Sequence, residues 1–191
     1  MATTESPVSK VENQVGSRAG WTFLSITRIV LGFTFLWAFF DKLIGLGYST
    51  CNTDGTIEVM CERAWLSGGR ITEGYLGAAS GPLADFFATL GTWAWTDWAF
   101  MAGLLGIGLA LMLGIGTRVA MVAGVAMLTM MFLAHGFPFV GRGLTNPIID
   151  SHVIQAVAMI SVVLLELNRQ AIGLGTWWRK LDVVQKNRWL I

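Results

Sequence analysis

The stretch NPIIDSHVIQAVAMISVVLLEL, Asn146–Leu167, decides the fold. Its interior is apolar for long enough to cross a bilayer core, which takes about 20 helical residues. Its ends differ: Asp150 and His152 stand near the start, and Glu166 near the close. Three other segments share its length and character, at residues 21–45, 95–113 and 117–136. With the fourth at 147–167 they predict an all-α integral membrane protein, an antiparallel four-helix bundle. Only 13% of the 191 residues are charged, against about 25% in soluble domains, which supports the bilayer as solvent. The net charge of +1 and the scatter of basic residues argue against a nucleic-acid surface. The first segment contains Arg28 and ends in Asp41–Lys42 without a small-residue cleavage site. It is therefore expected to stay as a helix and not to be removed as a signal.

Around these segments the chain predicts three regions: a polar tail at 1–20, the transmembrane domain at 21–168, and an amphipathic tail at 169–191. Within the domain, residues 48–92 form a long loop, and GPLADFFATLG at 81–91 has the apolar spacing of a short surface helix. In the tail, Trp177, Leu181 and Val184 share one helical face while Arg179, Lys180 and Lys186 stay wet, as in an interfacial helix. Lys10, Arg18, Arg118, Arg169, Arg179 and Lys180 fall on one side of the membrane, which places both termini in the cytoplasm. Arg63, Arg70 and Arg142 fall on the other. On the second segment Ala102, Gly106, Ala110 and Gly114 form a small-residue stripe for close helix packing, with the third segment as the expected neighbour.

Polar residues inside a membrane are costly and usually pair or face the bundle interior. At 100° per residue, Arg28, Gly32, Phe35, Phe39 and Lys42 make one stripe on the first helix. His152, Gln155, Met159 and Glu166 make one on the fourth. Antiparallel helices facing through these stripes bring Arg28 to Glu166 at one end and Lys42 to His152 at the other. Two readings of the Arg28–Glu166 pair stand: a polar clamp on a ligand head group, or structural pairing. Asn146 is the expected N-cap and Pro147 the first helical residue, which leaves Asp150 in the first turn, against the positive end of the helix dipole. A salt bridge from Asp150 to Lys42 or Arg142, or a ligand contact, is the other reading. His135 and His152 are too few for a metal or haem site without further ligands, so both are read as hydrogen-bonding or helix-end residues. Cys51 and Cys61 lie on the oxidising side and are expected to pair, as a structural disulfide or as a redox-active one.

RIVLGFTFLWAFFDKLIGLG at 28–47, with Arg28, Gly32 and Lys42, resembles the first-helix signature of the DoxX/DoxD family of small four-helix membrane proteins. WAFMAGLLGIGLALMLGIGTRVA at 98–120 is similar to the family's second helix and turn, and NPIIDSH at 146–152 to its fourth-helix opening. WLSGG, GPLADFF and the long first loop look more like the DoxD branch, the membrane subunit of thiosulfate:quinone oxidoreductase. The resemblance covers residues 20–168. It implies a bacterial or archaeal cell membrane, thiosulfate oxidised to tetrathionate, and quinone as electron acceptor. It also implies a partner, a small DoxA-like subunit; a larger membrane complex is the alternative partner. No flavin, haem or metal motif is visible in the sequence. In this reading His135, His152 and Lys42 are the candidate catalytic residues. Arg28, Asp41, Arg142, Asp150, Gln155 and Glu166 are the candidates for binding substrate or quinone. The reading from another class is a non-catalytic accessory subunit of a membrane complex.

Overall fold

The computed structural model describes residues 18–135, 146 and 148–191. Most of the polar tail at 1–17, Gly136, Arg142 and Pro147 lie outside the described residues. The chain is mostly helical, with eight α-helices among the described residues. In chain order these are α1 (Arg18–Ile44), α2 (Ile71–Gly77), α3 (Ala84–Gly91), α4 (Ala94–Leu113), α5 (Thr117–His135), α6 (Ser151–Glu166), α7 (Gly175–Trp178) and α8 (Asp182–Lys186). A two-stranded hairpin, β1 (Asn52–Thr53) and β2 (Thr56–Ile57), follows α1.

Helices α1, α4 and α5 are long and apolar enough to cross a membrane, and α6 is a shorter apolar helix of 16 residues. At 1.5 Å per residue α6 spans about 24 Å, less than the roughly 30 Å of a bilayer core. It is shorter than the sequence reading because the cap moves. Asn146 Oδ1 accepts the N–H groups of Ile148 and Ile149 in a turn of its own. Asp150 is extended and caps α6 itself, accepting the Val153 N–H at 3.1 Å. Asp and Asn cap equally well, and the later one sets the start of the helix.

Helix α1 packs on α4 and α6, and α5 packs on the same two. Leu31 and Phe35 of α1, Leu104 and Ile107 of α4, Leu128 of α5 and Met159 of α6 are buried between them. Phe23, Val30, Phe33 and Phe40, on the other face of α1, are exposed. A water-soluble protein would not leave so much aromatic and aliphatic surface uncovered, and a bilayer accepts it.

Helices α1 and α4 approach closely. A Cβ on Gly32 would stand 2.8 Å from Met112 N and 2.9 Å from Gly108 O, so glycine at both positions lets the backbones meet. The small-residue stripe lies elsewhere on α4. Ala102 and Gly106 are exposed, and nothing lies within 4 Å of where a Cβ on Gly106 would be. They line an open groove of about 480 Å³ between α4 and α5, closed at one end by Trp178 and Leu190.

The C-terminal segment forms two short helices in place of one. Leu181 is extended (ψ 133°), which breaks the helical phase between α7 and α8. Val184 is buried, whereas Trp177 is 56% exposed and does not share its face. Trp178 Nε1 donates to Leu190 O at 2.7 Å, folding the segment back on itself.

Candidate functional site

Polar residues gather at both ends of the long helices. At the first end Arg28 is completely buried, and its Nε lies 2.6 Å from Glu166 Oε2. Its other nitrogens donate to the carbonyls of Leu111, Met112 and Ile172. Ser25 donates to Glu166 and accepts the N–H groups of Ala171 and Ile172, both at 3.1 Å. The C-terminal ends of α4 and α6 and the loop after α6 are thus tied to one point on α1. The carbonyls at a helix C-terminus have no intrahelical donor, and a guanidinium suits them in geometry and in charge. With each guanidinium nitrogen bonded within the protein, the arrangement favours structural pairing over a ligand clamp.

At the second end the carboxylate of Asp41, itself buried, accepts from the N–H groups of Tyr48, Ser49 and Thr50 and from Ser49 Oγ. It closes the turn after α1. Lys42 Nζ donates to Ser49 Oγ at 3.0 Å, on the same turn. Asp97, in the first turn of α4, accepts from Thr72 N, Thr72 Oγ1 and Arg70 Nε. Arg70 also donates to the Gly91 and Thr92 carbonyls. This latch ties α2 and α3 to α4. A carboxylate at the start of an apolar helix is the sequence signal for it, although its partners lie too far away in the chain to be read.

The same end carries a cluster of polar groups beside an apolar cavity. His152 Nδ1 lies 2.5 Å from Asp150 Oδ2. The spacing of two residues places them on opposite faces of a helix, but Asp150 precedes the helix as its cap and turns back toward the ring. His152 and Gln155 line a cavity of about 190 Å³ whose other walls include Phe35, Leu104, Leu128 and Met131. His135 ends α5 nearby, with the ring of Tyr75 from α2 stacked on it at 4.2 Å. Its Nδ1 is buried and has no hydrogen-bond partner among the described residues. Burial, and then the negative charge of Asp150, push the Tyr75 phenol up to about 12, so it stays protonated and a donor. Nothing in the sequence marks Tyr75 as part of this group.

No family model, curated protein or solved structure matches this chain.

An Asp–His pair opening on an apolar cavity has a definite chemical capacity. The carboxylate fixes the ring and its tautomer through Nδ1, leaving Nε2 as the nitrogen free to exchange a proton or bond a ligand oxygen. Gln155 adds an amide that donates and accepts. Phe35 and the leucines supply contact for a flat, uncharged ring. An anion is less well served there, because the N-terminal N–H of α6 already holds the Asp150 carboxylate.

Cys51 and Cys61 form a disulfide. It closes the β1–β2 hairpin, which the Met60 N–H joins to the end of α1 through Ile44 O at 2.9 Å. Replacing both cysteines by serine removes a constraint worth about 2–4 kcal/mol. The expected result is a lower melting temperature in detergent with activity retained per folded molecule. Loss of activity without loss of fold would assign the pair a redox role.

Proposed function

We propose that this chain is the membrane subunit of a quinone-linked oxidoreductase, with His152 as the group that exchanges a proton with the quinone. The observation that carries this reading is His152, paired with Asp150, lining an apolar cavity beside Gln155 and Phe35. The DoxX/DoxD resemblance of residues 28–47, 98–120 and 146–152 supports it and suggests thiosulfate as the electron donor. Two thiosulfate ions each give up one electron and join through a new S–S bond as tetrathionate. The quinone takes up those two electrons and two protons and leaves as quinol.

The same reading makes the four long helices an antiparallel bundle in a bacterial or archaeal cell membrane, with the Arg28 end in the cytoplasm. Arg118, Arg169, Arg179 and Lys180 near that end support the orientation. Exposed Trp177 and Trp189 at one end, and Trp93, Trp95 and Trp98 at the other, suit two interfacial belts.

The decisive experiment is thiosulfate-dependent quinone reduction by the purified chain, alone and with proteins that co-purify. Tetrathionate and quinol should appear in equal amounts. The open groove at Ala102 and Gly106 favours a second reading, an accessory subunit that receives a partner's helix. Absence of turnover in every preparation would decide for that reading.

A further inference from the structure

A second cavity, of about 250 Å³, lies between α2, α3, α4 and α5, walled by Tyr75, Phe87, Trp95, Phe100, Met127 and Met131. Met131 also lines the His152 cavity. Each space alone falls below the roughly 300–1,000 Å³ of a small-molecule site, and the two together fall within it. Their walls differ in kind. The first carries an imidazole and an amide. In the second, the Thr72 and Thr96 hydroxyls are already bonded to each other at 2.7 Å, and Thr72 bonds Asp97 as well. What this cavity offers a ligand is therefore almost entirely hydrocarbon, aromatic and thioether surface. Trp95 and Met130 on its wall are 58% and 40% exposed, so it reaches the outer surface of the helices.

We propose that the two cavities are the head and tail compartments of one site for an amphipathic ring compound with a hydrocarbon tail, with Met131 as the movable partition. This rests on the quinone reading and extends it to the tail. The ring lies against Phe35 between His152 and Gln155. The tail crosses at Met131 and leaves between Phe87 and Trp95 toward the bilayer. Methionine suits a partition, since its unbranched side chain swings aside without moving the backbone.

The test compares two benzoquinones with the same substituted ring, one without a tail and one with a decyl tail. Binding to the purified full chain is followed by tryptophan quenching and calorimetry. The wild type should bind the decyl compound at least about tenfold more tightly, because buried methylenes add affinity. Met131→Trp blocks the partition, and Ala99→Phe fills the tail cavity from its exposed rim. Each should abolish most of the decyl advantage, and in Ala99→Phe, whose residue lines the tail cavity and not the His152 cavity, the tail-less compound should stay within about threefold. Ala99→Phe alone decides if Met131→Trp does not fold. Equal weakening of both compounds in Ala99→Phe, or no decyl advantage in the wild type, overturns the two-compartment site and leaves the quinone reading standing. Decanol binding as tightly as the decyl quinone overturns it too, because the ring then contributes nothing. If neither quinone binds, both readings fall.

Discussion

Arg28→Leu should yield almost no folded protein. Breaking a buried ion pair from one side typically costs about 3–5 kcal/mol, because the remaining charge is left without a counterion. Here Glu166 would be that charge, at 1% exposure. The carbonyls of Leu111, Met112 and Ile172 would lose their donor in the same step. Whole domains are stable by only about 5–15 kcal/mol, so the loss is a large share of the total. Arg28→Lys should rescue little, since an ammonium is a point charge and does not span acceptors arranged around a planar fork. Arg28→Met combined with Glu166→Leu should recover part of the stability, as the uncompensated charge is then gone. The Ser25 hydroxyl would still lack its acceptor and the three carbonyls their donor, so recovery should be incomplete. Thermal melting followed by size-exclusion chromatography in detergent measures all three variants. Wild-type stability for Arg28→Leu would show that the network holds nothing together.

His152→Ala should produce the largest loss of turnover in a protein that still folds. A positioned acid or base contributes typically about 10²–10⁴-fold, and a loss of about 10²-fold or more in kcat for quinone reduction is expected. Folding should survive, because His152 is 22% exposed in its side chain and its hydrogen bond is with the neighbouring cap. Asp150→Asn separates positioning from capping. Asparagine still caps the helix, so stability should be retained. It cannot hold the imidazole as a carboxylate does, so kcat should fall by about tenfold with little change in KM. Steady-state kinetics with a decyl quinone decide both variants. Unchanged kcat in His152→Ala would remove the histidine from the chemistry.

The contrast between these two sites shows what periodicity reads well and where it stops. Arg28 and Glu166 both lie within uninterrupted helix, where 100° per residue holds over their whole length, so their pairing is legible in spacing alone. Asp150 stands where that rule ends. Counted as helical it points away from His152; as an extended cap it lies 2.5 Å from it. Lys42 is a related case. Its stripe directs it toward His152, yet its hydrogen bond goes to Ser49, seven residues on, because the chain turns back at Asp41's carboxylate. The latch of Asp97 with Arg70 and Thr72, and the stacking of Tyr75 on His135, depend on how a loop folds over helix ends. No repeat in the sequence encodes that. The long apolar helices are legible to within a few residues because length and hydropathy alone set them.

The short reach of α6 gives the perimeter of the protein an uneven height. Its neighbours are cut for a full thickness of hydrocarbon, and it is cut for a thinner one. In the proposed four-helix bundle, lipid beside α6 would thin locally, or headgroups and water would dip inward at its polar end. That dip would fall where Asp150 and His152 stand, and would give the proposed proton exchange a path from the surface shorter than a full layer of hydrocarbon.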